Sequence, residues 1–153
     1  MSVRSRHLLI WGSLAWGMAA HAAGAHRLDD SSSTVEQPRP RMEWLPPLVG
    51  APADTLTTQF WVNVRIDVRQ WVGRPARVYM VLPPDEYPPL ELNWTTQGRL
   101  LPGRLVSGER ALVYVGLIDS PALQDRLNVR VLARANWMGN SRRLSVHFEC
   151  EPN

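Results

Sequence analysis

The chain has 153 residues, with 17 Arg, no Lys and 14 Asp plus Glu. The absence of lysine excludes Schiff-base and lysine general-base mechanisms, and we interpret it as the mark of a G+C-rich bacterial genome. Loss of Arg4 and Arg6 with a cleaved N-terminal segment leaves 15 Arg against 14 acidic residues. A charge this close to neutrality, without a basic run, argues against nucleic acid and anionic membranes as partners.

Residues 1–25 have the order of a secretory signal peptide: basic, then apolar, then small. Arg4 and Arg6 precede an apolar run over residues 8–20, and small-residue exits end at Ala22 and Ala25. The run has thirteen residues, whereas a membrane-spanning helix needs about twenty. We therefore expect cleavage after Ala22 or Ala25, and a periplasmic or extracellular mature chain without an integral membrane segment.

Residues 26–56 form a predicted leader, rich in Asp, Ser, Pro and Arg. Few apolar residues precede Trp44, so burial cannot offset the entropy of ordering, and we expect this leader to be flexible. Residues 44–49 differ, because they form an apolar segment stiffened by two prolines. This segment is interpreted first as a strap against the domain, and otherwise as a handle for a partner.

From residue 57 onward the dominant period is two, which is typical of strands with one buried face. Five apolar residues, Phe60 to Val68, alternate with Trp61, Asn63, Arg65, Asp67 and Arg69. Residues 120–125 alone resemble a helical turn. Further strands are predicted at residues 77–82, 90–96, 104–106, 111–118, 127–133 and 143–150. About seven short strands separated by glycine turns predict an all-β domain over 57–153, an antiparallel β-sandwich of immunoglobulin-like shape.

Cys150 is the sole cysteine of the chain. It has the parity of the apolar residues in the last predicted strand, which favours packing in the core. The alternatives are a reactive thiol or an intermolecular disulfide with a partner, because an odd cysteine in an exported protein suggests pairing between chains. His147 lies three residues earlier and hence on the opposite face of the strand, which argues against a Cys-His nucleophile pair.

Other residues with catalytic chemistry are few. His26 and His147 are far apart in the mature sequence, and Asp85 with Glu86 is interpreted as a solvated turn between prolines. The chain has no glycine-rich phosphate loop, no G-x-S-x-G and no CxxC. We therefore predict that the protein is not an enzyme and takes no cofactor and no metal.

Tryptophans and arginines supply the candidate partner-binding residues, since tryptophan is enriched at binding hot spots. Trp61 and Trp71 share the parity of the arginines, which predicts the outer face of a regular first strand. They would then lie roughly 33 Å apart, too far for one sugar-stacking platform. The full candidate set is Trp44, Trp61, Trp71, Arg65 and Arg69.

These patterns favour an exported, non-enzymatic module that binds another envelope protein, as an accessory of an envelope, pilus or secretion assembly. The first alternative is a structural fibre subunit built by strand exchange. Residues 26–41 lack the alternating apolar pattern that such exchange uses. The second alternative is a periplasmic thiol-dependent enzyme or sensor that uses Cys150.

Overall fold

The computed structural model describes residues 24–37, 39–45, 54–84, 89–135 and 144–153. The region predicted to be a signal peptide, apart from its last two residues, and the Asp85–Glu86 pair lie outside these ranges. Within them the chain forms one 3₁₀ turn, Arg69–Trp71, and ten strands. The strands are β1 (His26–Arg27), β2 (Thr34–Val35), β3 (Glu43–Trp44), β4 (Thr55–Asp67), β5 (Pro75–Val81), β6 (Glu91–Thr96), β7 (Gly103–Val106), β8 (Arg110–Leu117), β9 (Ala122–Arg134) and β10 (His147–Pro152).

The strands form two antiparallel sheets that pack against each other. One sheet has the order β1–β10–β5–β8, and the other has the order β2–β4–β9–β6–β7, with β3 also pairing with β4. The longest ladder joins β4 to β9 without a break from Thr55↔Arg134 to Asp67↔Ala122. This architecture confirms the predicted all-β class and the arrangement in two antiparallel sheets.

The core lies between the sheets and follows the predicted alternation. Val64 and Ile66 of β4 are buried together with residues of the facing sheet such as Val78 and Phe148. On β6, the Trp94 ring packs over Gly103 of β7, where a Cβ atom would lie 2.8 Å from Cζ2 of Trp94. Glycine is required there because any side chain would displace the indole.

The prediction of a helical turn over residues 120–125 is wrong. β9 begins at Ala122, which pairs with Asp67, and the preceding Pro121 carbonyl accepts a hydrogen bond from the Val68 amide at 2.9 Å. Leu123 and Leu127 are both buried, so the period of two already holds in this segment. The extended form is favoured because β4 is long enough to pair with the whole of it.

The predicted outer-face position of Trp71 is also wrong, because the strand does not stay regular that far. β4 ends at Asp67, whose Oδ1 accepts a hydrogen bond from the Arg69 amide at 3.0 Å. The backbone then enters the 3₁₀ turn and reverses the parity of the side chains that follow. Trp71 is consequently buried, with its indole 5.1 Å from the His26 ring.

Three short strands within the predicted leader pair with the sheets. β1 pairs with β10, and β2 and β3 both pair with β4. Between them, Leu28 is only 4% exposed and its amide donates to the Phe148 carbonyl at 2.9 Å. The Asp29 carbonyl accepts a hydrogen bond from the Asp67 amide at 2.8 Å. The leader therefore links the edge of one sheet to the edge of the other; residues 46–49 of the predicted strap lie outside the described ranges.

We predict that Leu28→Ala lowers the free energy of unfolding by about 2–5 kcal/mol, because it removes a buried side chain and leaves a cavity. Thermal unfolding of the purified protein should show a Tm lower by roughly 10 °C. Val35→Ala is the matched control, since Val35 lies in the same leader but is exposed. Equal Tm values for the two variants would contradict the anchoring of the leader.

Candidate functional site

The structure separates the five predicted partner-binding residues. Trp61 and Arg65 lie on the outer face of the six-stranded sheet, about 13 Å apart along β4. Trp44 is 65% exposed, but it pairs with Leu56 and so lies on the other side of that sheet. Arg69 is exposed and bound to Asp67, with 2.7 Å between Nη2 and Oδ2. Trp71 is buried, so these five residues do not form one cluster. Of the five, Trp61 makes contacts that restrain its ring and lies beside a groove.

Trp61 is held in place by an arginine and a glutamate that the sequence did not single out. The Cζ atom of Arg126 lies 4.2 Å from the centroid of the Trp61 ring, a cation–π contact. The Nε and Nη2 atoms of Arg126 donate to Oε1 and Oε2 of Glu36 at 2.8 and 2.9 Å. The Glu36 amide in turn donates to the Trp61 carbonyl at 2.9 Å. The leader and the sheet thus restrain one aromatic side chain from two directions.

The electrostatics of this stack reinforce its geometry. Hydrogen bonds from Arg126 hold the pKa of the Glu36 carboxyl below its usual value, and a weaker bond from Asn63 adds to this effect. The same pairing raises the pKa of Arg126. Both groups are exposed, so the pair contributes little to stability. Its consequence is positional, because a bidentate pair fixes the plane of the guanidinium that stacks on Trp61.

A groove of about 910 Å³ adjoins Trp61 on the outer face of the sheet. The register places Trp61, Asn128 and Thr95 in one cross-strand row, and Gln59, Arg130 and Asn93 in the next. We call the surface lined by these six residues the Trp61 groove. The side-chain amide of Gln59 donates to Oδ1 of Asn128. Arg130 has no ionic partner among the described residues. The groove thus combines one restrained aromatic ring with amide groups and an available guanidinium.

Arg126 stacks on only one side of Trp61. Arg126 is opposite Asn63, in the cross-strand row on one side of Trp61. Gln59 and Arg130 form the row on the other side, which lines the groove. Trp61 therefore lines the groove, whereas Arg126 does not. Such a surface can stack on a flat apolar group and donate hydrogen bonds beside it.

Cys150 is fully buried, as the core interpretation predicts. It lies opposite Val78 on β5, and burial raises the pKa of its thiol to about 11. A thiol in this state has little thiolate and no access to a partner, so the geometry favours neither a mixed disulfide nor thiol catalysis.

The other residues considered for catalysis lie apart. His26 packs beside Trp71, and Nε2 of His147 is 3.1 Å from Oε1 of Glu149. In the described part of the chain, no three His, Cys, Asp or Glu side chains are grouped so as to hold a metal ion.

The chain matches no protein-family model, no curated protein and no solved structure. Over the described ranges, no helix is long and apolar enough to cross a membrane. Function is therefore inferred from the geometry of the Trp61 groove.

We predict that the Glu36 carboxyl titrates below its ordinary pKa in the folded protein and that Arg126→Gln moves the pKa back toward the ordinary value, because Arg126 is the largest cause of the shift. Since the folded-state pKa is lowered, the pairing is fully present above the unfolded pKa and is lost as pH falls through the folded one. The carboxyl ¹³C resonance of Glu36, followed by NMR between neutral and acidic pH, measures both midpoints. Identical midpoints with and without Arg126 would exclude the pairing in solution.

We also predict that a thiol reagent labels native Cys150 at least about a hundredfold more slowly than it labels the urea-unfolded chain. A rise of two pKa units alone reduces the thiolate about a hundredfold, and burial adds to this. The measurement is the rate at which a disulfide reagent releases its chromophore on reaction with the thiol near neutral pH. Comparable rates in the two states would identify Cys150 as an accessible, reactive thiol.

Proposed function

We propose that the protein is an exported, non-enzymatic β-sandwich module that binds another protein, as an accessory of a bacterial envelope, pilus or secretion assembly. One observation carries this proposal: Trp61 is restrained by Arg126 and Glu36, and it lines a groove that Arg126 does not line. A side chain ordered before binding loses little entropy when a partner packs on it. Tryptophan and arginine are also the residues most enriched at binding hot spots.

We further propose that the sandwich has an immunoglobulin-like shape. Seven strands, β4 to β10, have at least four residues each and are divided between two packed sheets, which supports this proposal. The three two-residue strands β1 to β3 belong to the leader and would be an addition to that shape.

The two alternative functions receive less support. A fibre subunit formed by strand exchange needs an N-terminal extension that is free to enter a neighbour, whereas β1, β2 and β3 pair with their own chain. A thiol enzyme or sensor needs an accessible thiolate, and Cys150 is buried with a raised pKa.

One other surface competes with the Trp61 groove as the binding site. On β8, an edge strand, Val115 and Leu117 are 53% and 57% exposed. The edge is partly closed, however, because the Leu101 amide donates to the Val113 carbonyl at 2.7 Å and the Tyr114 hydroxyl donates to the Leu117 carbonyl at 2.7 Å. These contacts occupy the edge on both sides of Val115, so the Trp61 groove is the stronger candidate.

Site-specific photocrosslinking in the producing cell tests the proposal. A photoreactive residue at Thr95, in the groove, should give a defined protein adduct in the envelope fraction, and Trp61→Ala should reduce that adduct at least about tenfold because a hot-spot contact is lost. Trp61→Phe, which keeps an aromatic ring, should retain most of it. The full chain is expressed with residues 1–25, so that its own signal directs it.

The control position is Arg77, on the outer face of the other sheet. An adduct that forms in equal yield from Arg77, or whose yield is unchanged by Trp61→Ala, would exclude the groove as the binding site. An adduct from Val115 alone would move the interface to β8. Recovery of uncleaved protein in the cytosol would contradict the export part of the proposal.

A further inference from the structure

The leader leaves the edge of β4 between β2 and β3. It contacts that edge at Trp61, through the Glu36 amide, and returns to it where Glu43 pairs with Thr57. Gln59 lies between these two points. We call residues 37 and 39–42 the arch, because these described residues lie between the two contacts and do not pair with β4.

The backbone of Gln59 is directed toward the arch. Antiparallel strands turn the backbone groups of alternate residues toward the same edge. The Thr55 and Trp61 carbonyls and the Asp67 amide all bond to the leader, so the odd-numbered residues of β4 have their backbone groups on this edge. Gln59 belongs to this set, yet no described residue bonds to its amide or carbonyl from the leader side. The edge is thus open for about one residue pair.

A cavity of about 830 Å³ lies between the arch and this open edge, within the size range of ligand sites. Three arginines line it, Arg39, Arg41 and Arg130, and none has an ionic partner among the described residues. Two carboxylates also line it, but Glu36 is already bound to Arg126, which leaves Glu43 alone against three guanidinium groups. The cavity therefore has an excess of positive charge.

Two further features mark this arch cavity as a binding site. The Oγ1 atom of Thr57, which lines it, is buried and has no hydrogen-bond partner in the described part of the chain. Gln59 and Arg130 also line the Trp61 groove, so the cavity and the groove form one continuous surface. A buried hydroxyl without a partner costs free energy that a ligand can recover.

We infer that the arch cavity binds a short, extended, acidic segment of the partner protein. The inference rests on the proposed function and names the chemistry that the partner presents at the same surface. Backbone groups of Gln59 pair with an extended peptide, as in strand addition to a sheet edge. Carboxylates at alternate positions of that peptide reach the three guanidinium groups, which favour planar bidentate anions. Thr57 and Trp61, the leader-bonded positions on either side of Gln59, lie about 13 Å apart along β4, so the segment pairs with the edge at Gln59 alone.

An acidic polysaccharide presents carboxylates too, but it lacks the alternating amide and carbonyl groups that an open strand edge pairs with. The open backbone of Gln59 therefore favours a peptide over a polysaccharide.

The test uses purified mature protein and a fluorescent five-residue peptide with glutamate at positions one, three and five and valine between them. A matched peptide carries glutamine at those positions. Fluorescence anisotropy at low salt should show an affinity at least about tenfold higher for the glutamate peptide, because three charge-assisted contacts are at stake. Arg130→Gln should weaken its binding about tenfold, and added salt should weaken it further.

Arg77→Gln is the matched control, an exposed arginine on the opposite sheet, and it should leave the affinity unchanged. The double variant Arg39→Gln and Arg41→Gln is a second test. Both residues lie in the arch and outside the sheets, so we expect the variant to fold as the parent protein does. Thermal unfolding of each variant verifies that it is folded.

Equal affinities for the two peptides, no detectable binding of the glutamate peptide, or equal effects of Arg130→Gln and Arg77→Gln would each overturn the inference. Binding of polygalacturonate that depends on Arg130, without binding of the peptide, would overturn it in favour of a polysaccharide site. If the Thr95 adduct persists when all three arginines are replaced by glutamine, the inference fails while the proposed function stands. If no adduct forms at Thr95 or at Val115 while the three arginines are intact, the proposed function itself fails.

Discussion

The β4–β9 ladder is the constraint on which the rest of the structure depends. It runs through thirteen residue pairs and fixes which side chains of the two strands are neighbours on each face. On the inner face it aligns Ile66 with Leu123 in the core. On the outer face the same register brings Arg126 beside Trp61 and Arg130 beside Gln59. A slip of one residue would exchange the two faces, so burial of the inner face also holds the outer surface in place.

The leader completes the molecule through its backbone more than through its side chains. Among its described residues up to Leu45, only Leu28 is buried, yet the leader bonds to β4 at both ends and to β10. Strand edges with unpaired backbone groups tend to associate with other chains, and proteins usually cover them. The leader covers the edge of β4 except near Gln59, where the arch departs. The exposed stretch is consequently short and is defined at both ends.

Period-two alternation predicted most of this fold, because burial of one face leaves a pattern along a single strand. Residues 60–68 lie in β4 apart from Val68, and the six other predicted strands overlap β5 to β10. Alternation does not say which strands are neighbours, so Trp61 was a candidate while Arg126 and Glu36 were not. The position of Trp71 differs from the prediction because a local hydrogen bond, which the Asp67 carboxylate accepts from the Arg69 amide, ends the strand without any change in apolar content. The pairing of the leader was missed because backbone hydrogen bonds do not depend on apolar side chains.

The charges around the open edge of β4 have two physical effects that act in the same direction. Unpaired arginines at a strand edge oppose nonspecific pairing with apolar strands, since burying an unpaired charge is costly. The same charges lower the free energy of a strand that carries carboxylates, so an edge that repels most chains selects acidic ones. β8 shows the contrast, because its exposed Val115 and Leu117 carry no such selectivity, and bonds from Leu101 and Tyr114 to its edge shorten it instead. The two edges are thus protected by different means: charges surround the open edge of β4, whereas hydrogen bonds shorten the edge of β8. Only the charges at β4 favour one kind of partner over another.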